Sequence, residues 1–243
     1  MAKKVFITGG TGTVGMSLLK LFHRKKYELC FQYLSNDEKA MKLEKEFTAK
    51  SFKIDFLKKT YDLPDMDFDI LINNLGINIS DVLTHDVKEE DWLSTLTVNL
   101  TIPFKICKSY LPNMMKKGWG RIININSIYG LRGVDYNSPY NASKHGLSGL
   151  TKSIAKEYAQ YNITCNEICP GAIQSELMNR IAKRVADNEG TTSENFLKEV
   201  SSLYPAKRMV TPNEVSSVAF FLASEAASYV NGSSIIVDGG LNC

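Results

Sequence analysis

The sequence is poor in several features on which whole classes of protein depend. Among its 243 residues are only three histidines and two tryptophans, and the formal net charge at pH 7 is +3. So mild a charge gives no sign of nucleic-acid binding, and no apolar run approaches the roughly 20 residues that cross a bilayer. The N-terminus passes into a strand pattern without the apolar stretch of a secretory signal. We therefore expect a cytoplasmic protein without a membrane span or a nucleic-acid partner.

The cysteines are as poorly suited to disulfides as to metal binding. There are five, at positions 30, 107, 165, 169 and 243, an odd number without metal-ligand partners at a useful spacing. Cys165 and Cys169 fall in an apolar strand pattern, which favours reduced thiols inside a core. The sequence therefore predicts no metal site.

Strand and helix patterns alternate along the chain. Seven apolar runs predict strands, at Lys3–Thr8, Leu29–Tyr33, Ser51–Asp55, Asp69–Asn73, Arg121–Asn126, Thr164–Cys169 and Ser234–Val237. The helical patterns between them include Met16–Arg24, Glu89–Met115 and Pro139–Gln160. Ser138 is the expected N-cap of the last of these helices. This alternation predicts a parallel sheet covered by helices on both faces, in a single α/β domain.

A glycine-rich turn lies between the first strand and the first helix. Gly9, Gly12 and Gly15 follow one another at intervals of three residues in the run T-G-G-T-G-T-V-G. Glycines permit a tight turn and let backbone N–H groups approach a pyrophosphate, and the helix N-terminus adds a favourable dipole. A glycine-rich turn without a ligand is the alternative, but the strand before it and the helix after it favour dinucleotide binding.

Three side chains near the middle of the chain form a proton-transfer group. Tyr140 and Lys144 are four residues apart and share one face of a helix, and Ser127 ends a strand thirteen residues before Tyr140. A free tyrosine has a pKa near 10, which a neighbouring ammonium is expected to lower. Ser127 can hold a carbonyl oxygen beside the tyrosine. The group suits proton transfer to or from an oxygen while a hydride moves at the adjacent carbon.

These motifs occur in the order found in one known family. The chain resembles a single-domain short-chain dehydrogenase/reductase from Lys3 to Gly240. The resemblance is carried by Thr8–Gly15, Asp55, Asn73-Asn74-Leu75-Gly76, Asn99, Ser127, Tyr140, Lys144, Pro170-Gly171 and Val237–Gly240. Within that family the C-terminal segment is most similar to 3-oxoacyl-[acyl-carrier-protein] reductases.

The resemblance implies a fold and a set of site residues. The fold is a single-domain Rossmann fold with a doubly wound, seven-stranded parallel sheet over residues 1–243 and a helical substrate lid at about 175–205. The implied catalytic residues are Asn99, Ser127, Tyr140 and Lys144. Asn99 is expected to hold a water molecule through which Tyr140 is reprotonated. The alternative is that Asn99 caps backbone groups of its helix. The implied cofactor-binding residues are Gly9, Thr11, Gly12, Thr13, Val14, Gly15, Tyr33, Ser35, Asn36, Asp55, Phe56, Asn74, Leu75, Gly76, Tyr140, Lys144, Pro170, Gly171 and Ile173.

The end of the second strand predicts the cofactor. Members of the family that use NAD place an acid there to hold the ribose 2′-hydroxyl, and this chain has Tyr33 instead, followed by Ser35 and Asn36. We expect NADPH to be preferred over NADH, with Ser35, Asn36 and Lys39 near the phosphate. Thr13 and Leu75 stand where the family more often has glycine and alanine, so both positions are expected to affect cofactor binding.

Three functions remain open at this point. The first is reduction of a 3-oxoacyl thioester carried by acyl carrier protein, in fatty-acid or polyketide-like synthesis. Lys116 and Lys117 suit an acidic carrier protein, whereas Tyr161 replaces a usual arginine. The second is oxidation or reduction of a free small-molecule alcohol or ketone, and the third is a non-catalytic nucleotide-binding subunit. The resemblance also implies a homo-oligomer, most often a tetramer.

Overall fold

A parallel sheet of seven strands forms the centre of the molecule. The computed structural model describes residues 2–243, apart from the side chains at positions 188 and 189. The strands are β1 (Lys4–Ile7), β2 (Glu28–Tyr33), β3 (Lys50–Lys53), β4 (Ile70–Asn73), β5 (Gly120–Ile125), β6 (Ile163–Pro170) and β7 (Ser234–Val237). Their order across the sheet is β3-β2-β1-β4-β5-β6-β7, and every neighbouring pair is parallel. The predicted Rossmann fold is confirmed.

Helices cover both faces of this sheet. They are α1 (Thr13–Arg24), α2 (Asp37–Phe47), α3 (Glu89–Leu96), α4 (Ile102–Lys117), α5 (Ser138–Tyr158), α6 (Glu176–Glu189), α7 (Ser193–Leu203) and α8 (Pro212–Leu222). Val5 and Ile7 pack with α1, α2 and α8 in one core, whereas Phe6 between them packs with α4 and α5 in the other. Successive side chains of a strand point to opposite faces, so β1 contributes to both cores.

Two helix predictions need correction. The predicted helix Glu89–Met115 is divided, because residues Thr97–Thr101 adopt a π-helical turn between α3 and α4. Ser138 is the first residue of α5 and not its N-cap; Asn137 occupies that position, and its side chain makes no capping hydrogen bond to the helix. Pro139 has no backbone N–H to offer a capping group, and the Ser138 hydroxyl is buried without a partner among the described residues.

Most of the cysteine side chains lie inside the protein. Cys30, Cys107, Cys165 and Cys169 are buried, and all five cysteines are free thiols. None of the helices within residues 2–243 combines the length and the apolar composition that crossing a membrane requires.

Candidate active site

The carboxyl ends of the strands meet at a cleft on one edge of the sheet. The strand order reverses between β1 and β4, and ligands of open α/β sheets bind outside the carboxyl ends at such a point. A cleft of about 390 Å³ lies there, lined on one side by Gly9, Thr11 and Gly12 and on the other by Asn74 and Leu75. The sequence predicted all five residues as cofactor contacts.

The glycine turn brings the N-terminus of α1 to the floor of this cleft. Gly9 has a φ of +67°, which L side chains rarely adopt, and a Cβ at Gly15 would lie 2.2 Å from the carbonyl oxygen of Gly9. Gly12 is the N-cap of α1, with no side-chain cap and no acidic residue in the first turn. Such an uncapped helix N-terminus, open to a cleft, fits a pyrophosphate.

Gln32 supports this turn, although the sequence analysis did not single it out. Its side chain is buried within β2, where Oε1 accepts from the N–H of Gly9 at 2.9 Å and Nε2 donates to the carbonyl of Ile54 at 2.7 Å. The backbone carbonyl of Gln32 also accepts from the N–H of Gly10 at 2.8 Å. A polar residue inside an otherwise apolar strand is the signal that could have identified it, because buried amides need partners.

A second cavity continues from the first and holds the predicted proton-transfer group. Its volume is about 280 Å³, and its lining includes Ser127, Tyr140 and Lys144. Val14, Asn74 and Gly76 line both cavities. A cofactor in the first cavity would therefore reach the side chains in the second.

β5 and α5 hold the three side chains together. Ser127 lies two residues after the end of β5, and its hydroxyl accepts from the N–H of Tyr129 at 3.1 Å, which caps the short helix Ile128–Gly130. Tyr140 lies in the first turn of α5, and Lys144 lies one turn later. The Lys144 ammonium donates to the carbonyl of Ile125 at 3.0 Å. Nζ lies 5.5 Å from the centre of the Tyr140 ring.

The pKa of Tyr140 differs from the sequence-based expectation. Burial raises the pKa of Tyr140 to about 12, and the hydrogen bond with Ser127 acts in the opposite direction. Burial also lowers the pKa of Lys144 to about 8. Lys144 does not make Tyr140 acidic because its ammonium is bonded to a backbone carbonyl and burial dominates. Tyr140 consequently holds its proton at neutral pH, although burial by itself makes it a weaker acid than a free tyrosine.

Asn99 lies in the π-helical turn, behind the two cavities. Its Oδ1 accepts from the N–H of Ile77 at 2.8 Å, and its Nδ2 donates to the carbonyl of Ile77 at 2.9 Å and to the Ser143 hydroxyl at 3.0 Å. These bonds match the backbone-capping alternative. A Cβ built on Gly76 would lie 3.6 Å from Asn99 Oδ1 and 3.5 Å from Lys144 Nζ, so the amide lies close to the lysine. The water relay stays a prediction.

An acid that the sequence analysis overlooked contacts the end of β2. Asp37, in the first turn of α2, accepts from the Tyr33 hydroxyl at 2.9 Å and from Lys53 at 2.7 Å. Lys53 and Tyr33 hold the pKa of this carboxyl below its usual value. Tyr33 thus faces a carboxylate after all, but that carboxylate already pairs with Lys53 at the surface.

The start of α6 closes over the first cavity. The backbone N–H of Glu176 donates to the hydroxyl of Thr13 at 3.3 Å, and its carboxylate pairs with Lys39 of α2 at 3.2 Å. The Thr13 hydroxyl therefore contacts α6, and Lys39 lies against a carboxylate. Helices α6 and α7 match the predicted helical segment, and Gly190 in the left-handed conformation separates them.

Most of the predicted cofactor residues line one of the two cavities. In addition to those named above, Thr13, Tyr33, Asp55, Phe56, Gly171 and Ile173 do so. Four predicted residues do not. Gly15 packs against Gly9, Asn36 caps α2 through its side chain, Pro170 is buried at the end of β6 and Ser35 is exposed beside the cleft. Cofactor contacts at these four positions, and at the positions that line the cavities, stay predictions.

Further residues complete the lining. On the side of the first cavity they include Leu34, Ile54, Val98, Glu176 and Arg180, and around the second they include Tyr129, Met178, Ile181 and Tyr204. Within residues 2–243, leaving aside the side chains at 188 and 189, no group of three His, Cys, Asp or Glu residues is arranged to hold a metal ion.

Comparison with known proteins agrees with this geometry. The sequence model of a family described as enoyl-(acyl carrier protein) reductase matches residues 12–242. D-beta-hydroxybutyrate dehydrogenase of Cupriavidus necator is 34% identical over 252 residues, covering 98% of this chain and 97% of that protein. The 3-oxoacyl-[acyl-carrier-protein] reductase FabG of Chlamydia pneumoniae is 32% identical over 255 residues, covering 99% and 97%.

A solved structure shows the same likeness in three dimensions. An actinorhodin polyketide ketoreductase, solved with NADPH, superimposes with a TM-score of 0.90 at 27% identity, covering 99% of this chain and 97% of the other. Both the sequence model and the relatives extend over nearly the whole chain, so the resemblance predicted from the motifs is confirmed. This chain belongs to the short-chain dehydrogenase/reductase family and is an oxidoreductase of that family.

Proposed function

We propose that the protein is an NADPH-dependent reductase of 3-oxoacyl thioesters. The observation that carries the proposal is the charge of the second cavity. Among its described lining residues, Lys144 is the only charged one, and its ammonium is bonded to the carbonyl of Ile125. Ile77, Ile128, Leu177, Met178 and Ile181 give much of the lining an apolar character. Such a cavity suits a neutral acyl chain with a ketone.

A free 3-oxo or 3-hydroxy acid fits this cavity less well. Lys144 is the only cation in the described lining, and the proposed chemistry already uses it beside Tyr140. The carboxylate would therefore leave water without a cation of its own, and burying an unpaired charge is costly. A thioester carries no charge at the corresponding atom. The hydroxybutyrate dehydrogenase among the relatives nevertheless makes oxidation of a free 3-hydroxy acid the second candidate.

The three side chains divide the chemistry between them. When bound, NADPH supplies a hydride to the carbonyl carbon of the substrate. The Ser127 hydroxyl binds the carbonyl oxygen, and Tyr140 donates its phenolic proton to that oxygen. The Lys144 ammonium stabilises the negative charge that develops on the tyrosine. Because Tyr140 is protonated at neutral pH, it can act as the proton donor in the direction of reduction.

The choice of NADPH is supported by the surroundings of Tyr33. Asp37 already accepts bonds from Tyr33 and Lys53, so it offers the ribose a carboxylate that is largely occupied. Neutral donors select less strongly than an arginine fork, because charge-assisted bonds are roughly twice as strong. We expect a preference of about 1–3 kcal/mol, a few-fold to about a hundred-fold. Tyr33→Asp should shift it towards NADH.

One assay tests these proposals together. Turnover is measured with acetoacetyl-CoA, with free acetoacetate and with a simple ketone, each with NADPH and NADH, and Tyr140→Phe is the matched control. We expect the thioester with NADPH to give the highest kcat/KM. Preference for acetoacetate would establish the second candidate instead, and equal use of the two cofactors would contradict the cofactor proposal. Binding of NADPH without any turnover would indicate a non-catalytic subunit.

The end of α4 is the proposed contact surface for an acyl carrier protein. Lys116 is exposed at the end of α4, whereas Lys117 pairs with Asp69 at 3.0 Å, so Lys116 is the freer of the two for an acidic carrier protein. A lower KM for an acyl carrier protein thioester than for the coenzyme A thioester would support a carrier-protein partner.

We also propose that the protein is a homotetramer. Light scattering that shows a monomer at micromolar concentration would contradict this proposal.

A further inference from the structure

A carboxylate that the proposed chemistry does not use is buried directly behind the catalytic side chains. Glu167 lies in β6 and is 0% exposed. A buried carboxylate is costly unless its oxygens are satisfied. Oε2 accepts from Asn126 Nδ2 at 2.6 Å and from the Ser148 hydroxyl at 3.0 Å, and Oε1 accepts from the Ser234 hydroxyl at 2.5 Å. Within the described residues it forms no salt bridge, so these neutral donors satisfy it.

The partners of Glu167 belong to the two segments that carry the catalytic groups. Asn126 directly precedes Ser127, and its Nδ2 is also 3.2 Å from the backbone carbonyl of Lys144. Ser148 lies one turn after Lys144 on α5, and its hydroxyl is 3.4 Å from the same carbonyl. The carboxylate thus connects the end of β5 to the turn of α5 that carries Lys144.

We propose that Glu167 is a positioning residue for Lys144, whose carboxylate fixes Asn126 and Ser148 beside the catalytic groups and whose negative charge keeps the lysine in its ammonium form. This inference rests on the proposed reductase chemistry. Burial lowers the pKa of Lys144, and Cys169 and Glu167 of β6 both act in the opposite direction. Without the charge of Glu167, less would oppose burial and the ammonium would lose its proton at a lower pH.

Other ionisable groups near Lys144 do not explain its charge state equally well. The groups that face this region are Tyr140 and Lys152 from α5, Tyr129 from the short helix after β5, and Cys165, Cys169 and Glu167 from β6. Burial raises the pKa of Tyr140 and of Cys169 to about 12 and that of Cys165 well above its usual value. These three groups are therefore neutral over the pH range in which Lys144 titrates.

Glu167→Gln removes the charge while keeping the shape of the network. The glutamine carbonyl can accept from Asn126 and Ser148, and its amide can donate to the Ser234 hydroxyl, which can accept. We expect the alkaline midpoint of the kcat profile to fall by about one pH unit. Glu167→Ala removes the same charge and should shift the midpoint in the same direction, and Glu167→Asp should restore it. Circular dichroism identifies the variants that fold.

The matched control removes a carboxylate at the other edge of the sheet. Glu225 bonds to Lys3 and to the Trp119 indole, both at 2.9 Å, far along the strands from Lys144. Glu225→Gln should leave the midpoint where it is. A purely structural role for Glu167 would lower stability or kcat but leave the midpoint unchanged in the folded Gln and Ala variants, and that result would overturn the proposal.

A second readout separates this inference from the proposed function. The titration of Lys144 is followed by NMR of ¹³Cε-labelled lysine in the ligand-free protein, with Lys144→Arg to assign the signal. This measurement needs no substrate. If no ketone is reduced, the proposed function fails, but a lower Lys144 midpoint in Glu167→Gln still supports the inference. If the wild type reduces thioesters and the midpoint does not move, the inference alone fails.

Discussion

Each of the two edges of the sheet holds a buried cation, but the two cations differ in how many of their hydrogen-bond donors have partners in the protein. At the amino edge, Arg121 is 0% exposed and donates to the carbonyls of Gly120 and Asn162 at 2.8 and 3.0 Å. Its guanidinium carbon lies 4.4 Å from the centre of the Trp119 ring, and its Nη2 lies 3.5 Å from Glu225 Oε2. At the carboxyl edge, the Lys144 ammonium makes one hydrogen bond among the described residues, to the carbonyl of Ile125, and Lys144 lines a cavity of about 280 Å³.

The same strand supplies both arrangements, so the difference comes from the surroundings. Arg121 is the second residue of β5, and the carbonyl of Ile125 that holds the lysine is at its end. Both terminal nitrogens of Arg121 have partners in the protein, whereas Nε is buried without one among the described residues. Burial lowers the pKa of the guanidinium from its usual value, but the group keeps its charge at any ordinary pH. Lys144 has donors left over that face a cavity, and its pKa is lowered to about 8. Unused hydrogen-bonding capacity at a cavity distinguishes the reactive network from the structural one.

The sharpest test of this distinction is Tyr140→Phe at the carboxyl edge. The substitution removes only the hydroxyl that donates the proton, so kcat should fall by about 10²–10⁴-fold while the fold and cofactor binding persist. Steady-state kinetics with the thioester and NADPH fluorescence titration measure the two effects. Near-normal kcat in this variant would show that another group supplies the proton.

Arg121→Met at the amino edge should affect stability alone. The loss leaves the carbonyls of Gly120 and Asn162 with fewer donors, which costs about 1–3 kcal/mol in the free energy of unfolding. The contact with Glu225 adds little because that side chain is 68% exposed. Denaturant unfolding measures the loss, and kcat should stay at the wild-type value. A large fall in kcat with unchanged stability would contradict the structural role assigned to Arg121.

The pH dependence of turnover should follow Lys144 and not Arg121. The ammonium is the active form, and its pKa lies at about 8, so it is lost as the pH rises through that value. We expect kcat for reduction to decrease about tenfold for each pH unit above about 8. A kcat profile from pH 6 to 10 measures this limb. A profile that stays flat to pH 10 would mean that the charge of Lys144 does not matter.

The smallest expected effect concerns Thr13, at the rim of the carboxyl edge. Thr13→Val keeps the size of the side chain but removes the acceptor for the Glu176 N–H, a bond of 3.3 Å. We expect a loss of about 0.5–1 kcal/mol in the attachment of α6, seen as a modest rise in KM for the substrate. Thr13→Ser is the control, because it keeps the hydroxyl and should behave like the wild type.

Local spacing was sufficient to predict the strands, the glycine turn and the Tyr140–Lys144 pair. Each of these depends on neighbours a few residues apart, and the apolar runs located most strands to within one or two residues. The catalytic cavity follows from them because parallel strands bring their carboxyl ends together. Asp37 was missed because its contact with Tyr33 and Lys53 forms only when α2 folds back over β2.

The residues that sequence reasoning missed act through long-range contacts. Gln32 is 22 residues from Ile54, and Glu167 is 41 residues from Asn126 and 67 from Ser234. No local pattern indicates which distant donor will satisfy a buried polar side chain. The pKa of Tyr140 was misjudged for a related reason, since sequence spacing shows the nearby lysine but not the degree of burial.

The π-helical turn at Thr97–Thr101 has a consequence for how the chain tolerates change in length. Such a turn is equivalent to an α-helix that contains one additional residue. Deleting a single residue there would let α3 and α4 join as a continuous α-helix, and the inward-facing amide of Asn99 would rotate away from Ile77. The five residues of the turn thus set the direction in which the Asn99 side chain points relative to the sheet. This direction depends more on the number of residues in the turn than on their side chains.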